Sequence, residues 1–198
     1  MGLIWIAVAA GWGVAEATLF FFVPDVLLTY VVMWFGLRAG LRLSVVAAAA
    51  ASIAGFGMWL WTSQDVEAAR RVMLMIPAIG PDLLTRAQNE IASNWPLHLF
   101  TGAMTGVPYK LYAVEAGAAH INPFLFALVS FPARLTRFVL TAFAAAIGRE
   151  LLVKIGRPRW KYWAWGAAWL AVYALYFATR FLAGWNMASF HGGMETFR

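Results

Sequence analysis

A proline flanked by charge occurs twice in otherwise apolar sequence. Val23-Pro24-Asp25-Val26-Leu27 is the first copy; Val107-Pro108-Tyr109-Lys110-Leu111, 84 residues later, is the second. Proline lacks a backbone donor and its ring clashes with the preceding turn, so it breaks a helix interior. A charge beside that break is costly against lipid. The combination is tolerated where the freed backbone lines a cavity or is buried in protein. Two such breaks at matching places in two halves fit a transport protein built from repeats, whose discontinuous helices meet at a central site.

Composition places these breaks in a membrane. Of 198 residues, 63% are hydrophobic and 12% charged, with a mean hydropathy of +0.71. Soluble domains run at about 45–50% apolar and about 25% charged. Eleven Trp and six Tyr suit interfacial aromatic belts. The chain has no cysteine, which excludes a disulfide framework and a thiolate metal site. His98, His120 and His191 are scattered without ligand spacing, so neither metal nor cofactor is expected. The net charge is +6, but the basic residues lie between apolar spans. That distribution sets topology and meets anionic lipid heads rather than nucleic acid. No Gly-rich phosphate loop is present. The N-terminal run has no basic segment before it, unlike a cleaved signal.

The expected fold is all-α, one membrane domain over residues 1–198. Residues 1–61 form a first repeat. Its stretch 3–37 is too long for one span, which needs roughly 20 residues, and is interrupted by Gly11, Gly13, Glu16, Pro24 and Asp25. It reads as a re-entrant helical hairpin turning near Phe22–Asp25, followed by a spanning helix over 43–61 with a small-residue face. In 62–95, Val66, Ala69, Met73 and Ile76, then Leu83, Ala87 and Ile91, recur at helical spacing opposite charge. These predict amphipathic helices lying on the membrane, the second opened by Pro81 and Asp82. Residues 96–148 form the second repeat. Pro96 starts it, Gly106 and Pro108 break it, Gly117 follows within it, and 122–148 spans. A basic loop, 149–161, precedes the last span and tail, 162–198. Arg180 near that span's end reads as an interfacial anchor.

Placing the basic loop in the cytoplasm by the positive-inside rule orients the rest. The 62–95 region, with three Arg against four acids, and the C-terminus fall outside. Arg38 and Arg42 fall inside. The two hairpins then enter from opposite faces, as an inverted repeat requires.

Glu16, Asp25, Lys110, Glu115, Arg134 and Arg137 all lie in apolar sequence. One charge at mid-bilayer costs roughly 2.5–3.5 kcal/mol on insertion scales, so these must pair or meet water. Arg134 and Arg137, three apart, share a helix face and call for an anion between them. Guanidinium matches phosphate bidentately. Lys110, Arg134 and Arg137 are therefore the candidate phosphate-binding residues. Glu16, Asp25 and Glu115 are candidate proton carriers or counter-charges that close an empty site. Structural clamping is the competing reading of every one of these charges. No nucleophile or metal cluster accompanies the Arg pair, which speaks against an enzyme.

The run Thr101-Gly-Ala-Met-Thr-Gly-Val-Pro-Tyr-Lys110, with Ala116-Gly117, Asn122-Pro123-Phe124 and Arg134-x-x-Arg137-Phe138, resembles the DedA/VTT superfamily, or SNARE-associated Golgi proteins, most of all its short bacterial branch. Glu16 and Val23-Pro24-Asp25 match in the first half, so the resemblance covers roughly 10–148. It implies two opposed re-entrant loops in the bacterial inner membrane. It also implies a lipid translocase or scramblase, a flippase for a phosphate-bearing lipid such as polyprenyl phosphate or phospholipid, with or without proton coupling. Glu16 and Asp25 match the family's acidic positions. Lys110 stands where an Arg is usual, and Met104 where many members carry another, so this site is less cationic. The implied partners are membrane lipids with anionic headgroups, with room for a homo-oligomer. The alternatives are a proton-coupled transporter of a small solute and an assembly factor without transport.

Overall fold

A computed structural model describes residues 2–192, with the side chains of Ala103 and of residues 180–192 outside that description. The side chains of Arg180 and His191 and the tail 193–198 thus lie outside the described residues. The chain is helical throughout, with no strand among the described residues. Its helices are α1 (Leu3–Thr18), α2 (Asp25–Phe35), α3 (Leu37–Gln64), α4 (Val66–Leu74), α5 (Pro81–Thr105), α6 (Tyr109–Ala118), α7 (Pro123–Lys154) and α8 (Lys161–Gly192), with a 3₁₀ turn at Pro158–Trp160. Two of them, α3 and α7, are long and apolar enough to cross a membrane.

Local chemistry explains the boundaries. Pro24 and Pro108 occupy the N-cap positions of α2 and α6, where a missing N–H costs nothing. Asp65 accepts from the Ala68 N–H at 2.9 Å and starts α4; Asn122 accepts from Leu125 at 3.0 Å and starts α7. Asn94 leaves helical geometry inside α5 (φ −144°, ψ 73°), and its side chain accepts from the Leu97 N–H, so a fresh helical segment begins beside Pro96. The long helices overrun their apolar stretches. Arg38 and Arg42 lie in the first turns of α3, and α7 runs on to Lys154, because nothing stops it before Gly156 turns with φ +70°.

Two local features recur at the 84-residue offset. Helices α2 and α6 both start directly after a Val-Pro pair. Both end just before a residue of positive φ, Gly36 (+89°) after α2 and His120 (+51°) after α6. Trp5 at the start of α1 meets Tyr30 and Phe35 near the end of α2, and the Tyr112 ring of α6 lies over Gly102 of α5. The halves are interlocked: α6 packs on α3, α2 packs on α7, and α3 and α7 pack on each other. On the periphery, α4 and α5 bury Ala69 and Met73, then Leu83, Ala87 and Ile91. The spacing singled these out together with Val66 and Ile76, of which Ile76 is buried and Val66 only partly so.

Close approach depends on two glycines. A Cβ on Gly13 of α1 would stand 2.6 Å from the Ala47 carbonyl of α3, and one on Gly117 of α6 would stand 2.7 Å from the Trp59 carbonyl of α3. Both obstacles are backbone, which cannot step aside. Gly13→Val and Gly117→Val are each expected to destabilise by about 1–3 kcal/mol through overpacking. Gly57→Ala, which meets no atom within 4 Å, should be neutral or slightly stabilising. Thermal unfolding of the detergent-solubilised variants separates the two outcomes.

Candidate functional site

The two breaks face one cavity of about 430 Å³. Its floor comes from both Val-Pro elements. Its walls come from α7, α8 and the α4–α5 connection, where Ile76, Pro77 and Ile79 close one side. The lining is mostly apolar, but Glu16, Asp25, Lys110 and Arg137 all reach it.

Asp25 is the first residue of α2 and fully buried. A carboxylate suits a helix N-terminus, where unpaired N–H groups concentrate positive potential. One oxygen, Oδ1, accepts from the Thr141 hydroxyl at 2.8 Å. The other, Oδ2, lies 2.9 Å from Arg137 Nη2, an ion pair off the hydrogen-bond line that leaves this oxygen without a hydrogen-bond donor. Glu16 is in the last turn of α1 and faces both terminal nitrogens of Arg134, Nη1 at 3.4 Å and Nη2 in closer contact. The Arg134 guanidinium is held between the rings of Tyr109 (4.7 Å) and Phe138 (4.9 Å), which favours the planar cation over an ammonium. Its side chain is 4% exposed, against 22% for Arg137. Arg134 is thus sealed behind the wall while Arg137 faces the cavity. The two guanidiniums are neutralised by different carboxylates, so the anions that their spacing calls for are supplied by the chain itself.

Lys110, 2% exposed, has no carboxylate within 4.0 Å among the described residues. Its ammonium donates to the Phe20 carbonyl at 2.6 Å. An ammonium has three donors, and this single bond ties the second break to the first. With all five groups ionised, three cations stand against two carboxylates, and the surplus positive charge is at the cavity's lysine.

Helix α8 completes the site. Tyr173 accepts the Val23 N–H at 3.0 Å through its hydroxyl, and Trp165 and Trp169 both donate to Thr29 Oγ1, at 3.1 and 2.9 Å. The Thr29 hydroxyl in turn donates to the Asp25 backbone carbonyl at 2.7 Å. On the other side Trp12 donates to the Phe22 carbonyl at 2.9 Å. The irregular backbone of 19–24 is thereby bonded by side chains from three helices, Trp12 of α1, Lys110 of α6 and Tyr173 of α8.

Glu115 lies elsewhere. Buried on α6, it takes a two-pronged hydrogen bond from Arg70 of α4 at 3.0 and 2.6 Å. Nearby, Glu90 of α5 accepts from the Tyr112 hydroxyl and from Arg86 at 2.8 Å. Burial pushes the Glu90 carboxyl up, but those hydrogen bonds outweigh it and hold it below its ordinary range. These contacts fasten α4 and α5 to α6. Gly106 lines the cavity with φ +85°, a left-handed turn next to the second break, while Gly117 serves the contact with α3. The sequence reading left out Thr141 and Tyr173. Thr141 is one turn beyond Arg137 on the same face. Tyr173 belongs to an aromatic stripe spaced by four: Trp165, Trp169, Tyr173 and Phe177.

Removing one member of a buried pair strands the other. Arg134→Met is expected to cost about 3–5 kcal/mol. Glu16→Gln combined with Arg134→Met, which removes both charges, should recover much of that loss. A double-mutant cycle read by thermal unfolding in detergent tests the coupling; additive losses would mean that the pair is energetically idle.

No family model matches this chain, and neither a curated protein nor a solved structure matches it significantly.

Proposed function

We propose that this chain is an integral membrane protein of the DedA/VTT kind that moves a phosphate-bearing lipid between leaflets. The observation that carries this reading is the cavity between the two breaks, with apolar walls and a surplus cation. An amphiphile with an anionic head fits such a lining better than a hydrophilic solute does, because a solute would leave the apolar wall against water. The outward faces support a lipid surround: Ile53, Leu128, Ile147 and Leu170 all stand exposed, and so much apolar surface is unusual for a protein in water. The opposed entry of the two hairpins rests on the charge of the loops and on the repeat.

In this reading Lys110 and Arg137 receive the phosphate. Asp25, paired with Arg137 in the empty site, is displaced as the phosphate binds. Glu16 keeps Arg134 neutralised behind the wall, and its carboxylate is the counter-charge or proton carrier on that side. The bacterial inner membrane is the setting that the resemblance suggests.

Reconstitution into liposomes with headgroup-labelled phospholipid or polyprenyl phosphate tests the activity. Loss of a charge-assisted hydrogen bond costs about 1.5–3 kcal/mol, so Arg137→Ala is expected to slow transfer roughly tenfold or more. Arg137→Lys, which keeps charge but loses the fork, should fall between. Transfer of a soluble solute but of neither lipid would overturn the lipid reading, and wild-type rates in all the variants would remove the site.

The membrane arrangement has its own test. Single cysteines at Ser63 and Lys154 are expected to react with an impermeant reagent from opposite sides. Labelling of both from one side would exclude the inverted repeat.

A further inference from the structure

A second hollow adjoins the cavity. It is an open groove of about 620 Å³ between the first break and α8. Three aromatic residues, Phe21, Trp169 and Tyr173, line both spaces and form the partition between them. The two spaces differ in chemistry. The cavity holds four charged side chains, whereas the groove is lined by Trp12, Phe20, Phe22, Val26, Leu170 and Phe177 besides the partition, with no charge. Its rim opens outward, since Phe20, Phe22, Leu170 and Phe177 are all exposed.

The partition is made of ring contacts and two hydrogen bonds: Trp169 packs near Tyr173 at 5.9 Å and donates to Thr29, and Phe21 meets Phe22 at 4.3 Å. Phe22 meets Tyr173 edge-on at 5.0 Å, Phe21 meets Phe177 at 5.9 Å, and the other hydrogen bond joins Val23 N–H to the Tyr173 hydroxyl. Aromatic rings turn about two side-chain angles, so a chain can pass between them without unfolding a helix.

We infer that this groove is the seat of the hydrocarbon chain of an amphiphile whose anionic head occupies the charged cavity, with Phe21, Trp169 and Tyr173 as the portal between head and chain. The occupant follows from continuity and charge. A head held at Lys110 and Arg137 must let its chain leave, and the adjoining groove offers an uncharged path to the outside. The inference rests on the lipid reading given above and adds the route of the chain to it.

The test uses the full chain in liposomes with two photoreactive probes. One is a phosphatidic acid with a diazirine at the end of one acyl chain. The other is the matching diacylglycerol, which has no phosphate. Labelled peptides are mapped by mass spectrometry. The phosphatidic acid probe is expected to label segments 20–26 and 169–177 several-fold more than the diacylglycerol probe, while both label the outward face around Ile53 equally. Lys110→Met should lower the groove labelling several-fold and leave labelling near Ile53 unchanged. Leu170→Trp, which narrows the groove without touching the cavity, should lower groove labelling and slow lipid transfer together.

Equal labelling of the groove by both probes would overturn the inference, and so would groove labelling unaffected by both Lys110→Met and Leu170→Trp; the groove would then be ordinary lipid-facing surface. Failure of the lipid reading itself looks different: the unaltered protein would transfer no lipid, and a diazirine placed on the phosphatidic acid head would not label residues of the cavity.

Discussion

Charge buried in apolar surroundings must be matched, and in this protein the matching runs across the two halves. Glu16 and Asp25 belong to the first half; Arg134, Arg137 and Thr141, which answer them, belong to α7 of the second. Lys110 of the second half reaches the Phe20 carbonyl of the first. An isolated ion in low dielectric costs several kcal/mol, and much of that returns only if the partner is in place. Neither half can therefore bury its own charges alone. The electrostatic requirement and the interlocked packing, α2 on α7 and α6 on α3, demand the same assembly.

The breaks add a second requirement of the same kind. Between α1 and α2 the carbonyls of Phe20 and Phe22 and the N–H of Val23 are bonded by side chains. Trp12, Lys110 and Tyr173 supply these partners. Each comes from a different helix, so the loop is held only when α1, α6 and α8 are all docked. Lys110 and Tyr173 also line the cavity, and Trp12 lines the groove beside it. Where one side chain both holds the break and lines the cavity, as Lys110 and Tyr173 do, a substitution is expected to affect stability and the proposed transport together.

The cavity's asymmetry follows from how the cations are spent. Arg134 is enclosed by Tyr109, Phe138 and Glu16 and works as a strut. Arg137 is half committed, since its partner Asp25 keeps one oxygen off the hydrogen-bond line. Lys110 has no carboxylate within 4.0 Å among the described residues. An incoming anion would meet little competition at Lys110 and moderate competition at Arg137. Such graded availability suits a site that must release what it binds.

Much was legible in the residues because local rules produced it. The two Val-Pro breaks, the amphipathic spacing of Ala69 and Met73 and of Leu83, Ala87 and Ile91, and the presence of two apolar helices long enough to span a membrane all follow from backbone geometry and hydrophobic period. So did the list of charges too costly to stand alone. Which charge meets which did not follow, because partners such as Glu16 and Arg134 are 118 residues apart and any of the cations satisfied the same arithmetic. Only the packed helices assigned Glu115 to Arg70 rather than to the cavity, sealed Arg134 behind the wall and brought Tyr173 onto Val23. The sequence by itself determined where the chain breaks and which groups need partners; the tertiary structure decided the partners, because pairing in an apolar interior depends on distances of a few ångströms that only the docking of distant helices sets.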